Sequence, residues 1–169
     1  VRTVLSQAQG DATIGAASWN TMTIKVTPNS WSYSLNGAPP TTGSHTFDTS
    51  RDYRFVSYGH RARYVSFSNI KLREVPAVYQ SVFTGTTLAS AGLAKSAGAA
   101  GGGWAIDDPN DQLDGTGSGN ARASVYTTNS WQNDGGFTLD VTFWGNSALV
   151  RHSFGIVDAD YSIPSATDW

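Results

Sequence analysis

The sequence predicts an all-β fold in which two antiparallel sheets pack as a sandwich or jelly roll, with little helix. At least eight short segments alternate apolar and polar residues with the period of two that is typical of strands. The turns between these segments are rich in Gly, Asn and Pro. Only 14% of the 169 residues are charged and Glu74 is the only glutamate, whereas the surfaces of long helices normally carry many Glu and Lys side chains.

Residues 21–36 are predicted to form a hairpin with a four-residue loop at 27–30. Apolar and polar residues alternate along both arms, and the loop length fixes which residues face each other. In that register every inward pair is apolar: Val26 opposite Trp31, Ile24 opposite Tyr33, and Met22 opposite Leu35. Asn36-Gly37, followed by two prolines, is expected to end the second arm.

The middle of the chain contains further predicted strands at 53–58, 64–73, 104–106 and 121–127. In the second of these, Val65 and Phe67 have the opposite parity to Ile70 and Leu72, so a bulge near Ser68-Asn69 is expected to restore one inward face.

Between these strands, residues 85–103 are almost all small or weakly polar. They predict a flexible loop or linker, with a short Ala-rich helix at 88–99 as the alternative.

The segment 137–157 is predicted to be a second hairpin, with strands at 137–144 and 149–157. A loop at 145–148 would place Phe143 opposite Val150, Val141 opposite His152, Leu139 opposite Phe154, and Phe137 opposite Ile156. On the other face, Thr142 would then lie opposite Arg151. Together the two hairpins predict a core that contains Met22, Ile24, Val26, Tyr33, Leu35, Phe137, Leu139, Val141, Phe143, Phe154 and Ile156.

Composition limits the classes of partner and compartment. The formal net charge of −2 implies no nucleic-acid or other polyanionic partner, and no apolar run reaches the roughly 18 residues of a membrane span. A chain without cysteine, and rich in Thr, Ser, Asn, Gly and Trp, favours an extracellular protein that is secreted or displayed on a bacterial cell surface. No N-terminal stretch has the pattern of a signal peptide, so an export signal would lie outside these residues.

Two segments resemble strands of the concanavalin A-like lectin/glucanase superfamily, which includes the laminin-G-like modules. Residues 19–26, leading on to Tyr33-Ser34-Leu35-Asn36-Gly37, are similar to a tryptophan-led strand followed by a strand that ends in Asn-Gly. Residues 65–73 are similar to the closing strand of that family. Segments within 104–157, such as Trp104-Ala105-Ile106 and 137–141, resemble its opening strands. The resemblance implies a β-sandwich that binds glycans.

The order of these segments departs from the family, because closing-type strands at 19–73 precede opening-type strands at 104–157. Either residues 1–169 form a single circularly permuted domain, or the chain joins the end of one tandem module to the start of the next. We favour the single permuted domain, since a sandwich with adjacent termini tolerates permutation.

Catalysis is not expected. Glycanases of this superfamily carry two glutamates in a Glu-x-Asp-x-x-Glu strand, and glycoside hydrolysis requires a pair of carboxylates, whereas Glu74 stands alone here. The lyase strands of the superfamily, Arg-x-Glu-Leu and Gln-Ile-His, are also absent.

The sequence therefore predicts a non-catalytic carbohydrate-binding, lectin-like module. The alternative is a structural repeat of an adhesin, stalk or filament that pairs with neighbouring copies or tandem modules, and a glycan-active hydrolase or lyase is third.

The candidate glycan site lies on the outward side of the 137–157 hairpin. Trp144 offers an aromatic ring for stacking on a sugar, while Asp140, Thr142 and Arg151 offer hydrogen bonds to hydroxyl groups. The alternative is that this face packs against residues 85–103 or a neighbouring module. The 58–61 turn would add a rim to the site, made of Tyr58, His60 and Arg61.

No cofactor is predicted. Asp107-Asp108-Pro109-Asn110-Asp111 is the best candidate for calcium because oxygen ligands cluster there, but it lacks the glycine and the final glutamate of an EF-hand loop. A turn stabilised by Asp and Asn side chains is the favoured interpretation.

Overall fold

The computed structural model describes residues 18–46, 48, 50–60, 65–73, 77–96, 103–116, 122–132, 136–145 and 152–158. Within these ranges the chain forms the strands β1 (Trp19–Thr27), β2 (Ser30–Leu35), β3 (Thr41–Ser44), β4 (Asp52–His60), β5 (Val65–Arg73), β6 (Ala77–Gln80), β7 (Leu93–Lys95), β8 (Gly103–Asp107), β9 (Gln112–Thr116), β10 (Arg122–Thr127), β11 (Trp131–Gln132), β12 (Phe137–Gly145) and β13 (His152–Asp158). Short 3-10 helices span Leu88–Ala91 and Asp108–Asn110. None of the described helices is long and apolar enough to cross a bilayer.

The strands form two antiparallel sheets, which confirms the predicted all-β sandwich. The larger sheet has the order β3-β2-β1-β12-β5-β9-β8, and β6 also pairs with β5. The smaller sheet has the order β11-β4-β10-β7, and β13 pairs with β4. Each sheet contains strands from both halves of the chain, since β12 lies between β1 and β5 while β10 pairs with β4.

The first hairpin has the predicted register. Val26 faces Trp31, Ile24 faces Tyr33 and Met22 faces Leu35. The second strand ends at Leu35, after which Asn36 and Gly37 adopt positive φ angles of 51° and 75°. A hydrogen bond from the Ala38 N–H to the Leu35 carbonyl closes this turn. Asn and Gly tolerate the left-handed region better than other residues, so the Asn-Gly pair permits the tight reversal.

The predicted bulge in β5 is also present. Opposite β12, Asn69 pairs with Thr142 and Phe67 pairs with Phe143, which leaves Ser68 as the extra residue. Because of that extra residue, apolar side chains on both sides of the bulge are buried on one face: Val65, Phe67, Ile70 and Leu72.

The predicted hairpin at 137–157 is wrong. β12 pairs with β1 on one side and β5 on the other, whereas β13 pairs with β4 in the smaller sheet. Phe143 and Phe154 do meet, with ring centroids 5.1 Å apart in an edge-on arrangement, but they meet across the sandwich. Two strands that face one core from opposite sheets show the same alternation as two arms of a hairpin, so the sequence pattern could not separate these cases.

The core lies between the sheets and is rich in aromatic rings. Phe67 contacts Phe55, Trp104 and Phe154, with ring centroids between 5.7 and 6.4 Å from its own. Of the predicted core, six residues are buried: Val26, Leu35, Phe137, Leu139, Val141 and Phe143. Four more are partly buried against that core: Met22, Ile24, Phe154 and Ile156. Tyr33 is partly buried beside Trp31, with nearly parallel rings whose centroids lie 6.3 Å apart.

The prediction of a flexible loop over 85–103 is wrong for residues 88–95, and the alternative of a short helix at 88–99 is correct only for Leu88–Ala91, which form a 3-10 helix. A short 3-10 helix begins after Thr87, whose hydroxyl accepts a hydrogen bond from the Ser90 N–H, and it ends at Gly92 with a φ of 67°. The chain then enters β7, where Leu93 is buried. Ala91 and Leu93 of this segment belong to the buried core. Residues 97–102 lie outside the described part of the chain.

Candidate functional site

The solvent side of the larger sheet carries four rows of side chains across β1, β12 and β5. Asn20 and Phe143 are buried on the inner side, so their neighbours along each strand point outward. The rows, which together we name the outer face, are Trp19, Trp144 and Ser66; Thr21, Thr142 and Asn69; Thr23, Asp140 and Lys71; and Lys25, Thr138 and Arg73. Two tryptophans thus lie at one end of a face that is otherwise polar.

The tryptophan end consists of a directly opposed cross-strand pair. Trp19 of β1 faces Trp144 of β12, with Ser66 of β5 on the far side of Trp144. The Trp19 side chain is 44% exposed, and Trp144 is partly exposed. The pair therefore presents aromatic surface to solvent.

A buried asparagine anchors this end of β1. Asn20 is 1% exposed and donates a hydrogen bond from its side chain to the Ser18 carbonyl. Its side-chain oxygen accepts from Asn36 Nδ2 at 2.8 Å, and the Asn36 side-chain oxygen accepts from the Thr21 N–H, also at 2.8 Å. Trp19 and Thr21, on either side of Asn20, belong to the outer face. The hydrogen bonds of Asn36, in the turn after β2, therefore help to position Trp19 on that face.

The opposite end of the outer face is charged. Arg73 Nη2 lies 2.6 Å from Asp140 Oδ2, and the Thr23 hydroxyl donates to Asp140 Oδ1 at 2.8 Å. Lys71 is the cross-strand partner of Asp140, and Lys25 lies in the next row on the other side of β12. Asp140 is thus held by neighbours on both flanking strands.

The structure brings together three of the residues predicted for the site. Asp140, Thr142 and Trp144 share the outer face in consecutive rows. The neighbours predicted for them are wrong, because Thr142 lies between Thr21 and Asn69. Arg151 lies outside the described residues.

The predicted rim falls in a different part of the molecule. Tyr58 and His60 belong to β4 of the smaller sheet, so their backbone is strand and not the turn that the sequence predicted. Their strand lies across the core from the outer face, since Phe55 of β4 packs against Phe67 of β5. Arg61 lies outside the described residues.

Sequence reasoning missed the contributions of β1 and β5 to this face. Trp19 has the same parity as Thr21, Thr23 and Lys25, so alternation alone could have shown that it points outward. The pairing of Trp19 with Trp144 had no local signal, because 125 positions separate the two residues (144 − 19).

Side chains of the acidic segment 107–111 accept hydrogen bonds from the backbone of the neighbouring segment 83–85. Asp108 Oδ1 accepts from the Gly85 N–H at 2.5 Å, and Asp111 Oδ1 accepts from the Phe83 N–H at 2.9 Å. Asp107 Oδ2 accepts from Asn110 Nδ2 at 2.7 Å. The Asp107–Asn110 bond lies within the segment and matches the favoured interpretation of a turn stabilised by Asp and Asn side chains. Within the described ranges, no group of three or more His, Cys, Asp or Glu side chains is placed to hold a metal ion.

No protein-family model matches the chain, and no curated protein matches it significantly.

Proposed function

We propose that the protein is a non-catalytic carbohydrate-binding module of the concanavalin A-like kind, with its glycan on the outer face. The observation that carries the proposal is the Trp19–Trp144 pair on the solvent side of the larger sheet. An extracellular location, secreted or on the cell surface, fits such a ligand.

The tryptophan pair suits a sugar because of the residues around it. Outward positions of a strand are normally taken by Ser, Thr and Lys, and two opposed tryptophans there expose apolar area that a partner would cover. A sugar ring has an apolar face, which stacks on an indole, and a polar perimeter, which needs hydrogen bonds. Thr142 and Asn69 lie one row further along, about 7 Å away on the same face, and supply hydroxyl and amide groups.

The charges of the outer face favour binding over hydrolysis. Asp140 is the single carboxylate among its twelve side chains, and it is already engaged by Arg73 and Thr23. Glycoside hydrolysis requires two carboxylates placed on either side of the scissile bond. A bound glycan would therefore be held without being cleaved.

The test is a glycan array and pull-down with Trp19→Ala, Trp144→Ala and the double variant. Val82→Ala is the matched control, since Val82 is an apolar residue that is 57% exposed outside the outer face. We expect each tryptophan variant to lose most of its glycan binding, while its free energy of unfolding changes by less than about 1 kcal/mol because each side chain is a surface cross-strand partner. The control should bind like the parent.

Two outcomes would count against this proposal. If the tryptophan variants bind every glycan as the parent does, the outer face is not the site. If instead the parent self-associates in size-exclusion chromatography and the double variant is monomeric without any change in glycan binding, the pair belongs to an interface between copies, as in the structural-repeat alternative.

A further inference from the structure

We propose that the ligand of the outer face is an anionic polysaccharide, whose carboxylate or sulfate groups are bound by Lys25 and Lys71. This inference rests on the proposed function and specifies the class of glycan. The chain as a whole carries a formal charge of −2, which gives no reason to expect a polyanionic partner. The local distribution of charge on the larger sheet, in contrast, favours an anionic ligand.

The outer face has an excess of positive charge. It contains Lys25, Lys71 and Arg73 against a single acid, Asp140. On the β1 side, the outward residues of β2 and β3 add no charge: Ser30, Ser32, Ser34, Thr42 and Ser44. On the β5 side, β9 adds one acid, Asp114, beside Ser66. A cationic patch on a protein of negative net charge produces a local field that attracts anions to that patch.

The two lysines are available to a ligand. Asp140 forms its ion pair with Arg73, whose Nη2 atom lies 2.6 Å from Asp140 Oδ2, although Lys71 is its direct cross-strand neighbour. Among the residues that the structure describes, no carboxylate forms an ion pair with Lys25 or Lys71. Lys25 is exposed and Lys71 is partly exposed. Both ammonium groups can therefore meet an incoming acid group without first breaking an ion pair to a described carboxylate.

The positions of the two lysines suit acid groups that are spread along a chain. Lys25 and Lys71 lie on opposite sides of β12 and in adjacent rows, so their Cα atoms are separated by about two strand spacings across the sheet and about 7 Å along it. Two separate acid groups of one polysaccharide can thus be bound at once, one by each lysine.

The tryptophan end of the outer face disfavours anionic groups. Asp114 of β9 pairs with Ser66, on the same side of the sheet as Trp19 and Trp144, and its Oδ1 atom is buried there. A negative charge there disfavours a second acid group at the aromatic end. We infer an orientation in which apolar sugar faces stack on the tryptophans while acid groups lie over the lysines.

The experiment compares matched charged and neutral polymers. Polygalacturonate is tested against its methyl-esterified form, and dextran sulfate against dextran, so that the two pairs distinguish carboxylate from sulfate recognition. The variant is Lys25→Gln/Lys71→Gln, and the control is Lys95→Gln, since Lys95 is an exposed lysine on β7 of the smaller sheet. Binding is measured by isothermal titration at low and at physiological salt.

We expect the parent to prefer the charged member of at least one pair by about tenfold, the combined effect of two exposed ion pairs. The double lysine variant should lose that preference, and the Lys95→Gln control should keep it. Raising the ionic strength should weaken the binding of the charged polymer, because exposed charges are screened beyond about 8 Å at physiological salt.

The proposal is overturned if the parent binds charged and neutral polymers alike, or if the lysine variant keeps the parent's preference. Neither result removes glycan binding itself, which the tryptophan variants test separately. A parent that binds only neutral glycans on the array overturns the anionic ligand alone, whereas a parent that binds no glycan overturns both proposals.

Discussion

Gly136 illustrates how a single residue can depend on a contact that is distant in sequence. It precedes β12 with a φ of +104°, a backbone conformation that residues with a side chain rarely adopt. A Cβ atom at this position would collide with the carbonyl oxygen of Val26 on β1. The glycine therefore permits β12 to approach β1 where their pairing begins. The sequence marks residue 136 only as part of a turn, because the constraint comes from a strand about 110 residues away.

Tyr79 is a residue whose burial makes stability depend on pH. Its hydroxyl donates to the Ala91 carbonyl at 2.9 Å, and its ring centroid lies 5.9 Å from that of Trp131. Burial disfavours the phenolate and raises the pKa of Tyr79 well above its ordinary value of about 10. In the unfolded chain the same group ionises near pH 10, so above that pH the unfolded state holds fewer protons than the folded state.

We predict that this difference destabilises the fold in alkali. The contribution of Tyr79 is fully present below about pH 10 and is lost as the pH rises towards the folded-state pKa, at up to about 1.4 kcal/mol per pH unit. The Tyr79→Phe variant cannot ionise and should lose less free energy of unfolding between pH 8 and pH 11 than the parent does. Urea denaturation at both pH values measures this, and the pH 8 data correct for the lost Ala91 hydrogen bond. Equal losses in the two proteins would contradict the prediction.

At the scale of elements, the sequence predicts a strand well and predicts its partner only when a short turn connects the two. The β1–β2 pair follows from alternation and a four-residue loop, and its register is confirmed. β12 and β13 show equally clear alternation but belong to different sheets. The same limit applies to the candidate site. The outward direction of Asp140, Thr142 and Trp144 was predictable from alternation. Their neighbours on β1 and β5 were not predictable, because those pairings join segments that are distant in sequence.

The central position of β12 gives the two faces of this strand different roles. Leu139 is fully buried, whereas Thr138, its neighbour along the strand, lies on the outer face between Lys25 and Arg73. We predict that Leu139→Ala lowers the free energy of unfolding by roughly 2–5 kcal/mol, because it removes buried methyl groups and leaves a cavity. Thr138→Ala should change it by less than about 1 kcal/mol. Denaturant titration of both variants measures the difference, and similar midpoints would mean that this strand does not face the core as described.

At the scale of the whole molecule, the two sheets are assembled from strands of both halves of the chain. β12 lies between β1 and β5 in the larger sheet, and in the smaller sheet β4 pairs with both β10 and β13. Each half alone would present unpaired strand edges and an uncovered apolar face to water, which is unfavourable. The inverted order of family-like segments is therefore compatible with one shared core.

This interleaving predicts that the halves fold only together. We expect fragments 1–96 and 103–169, produced separately, to lack cooperative thermal unfolding, because the first has no strand between β1 and β5 and the second has no β4. When mixed, they should recover a β-rich far-UV circular dichroism spectrum and elute as a one-to-one complex in size-exclusion chromatography. The Leu139→Ala change in the second fragment should weaken this association, since Leu139 lies between Ile24 and Leu72 of the first. A first fragment that melts cooperatively alone would instead indicate the end of one module joined to the start of another.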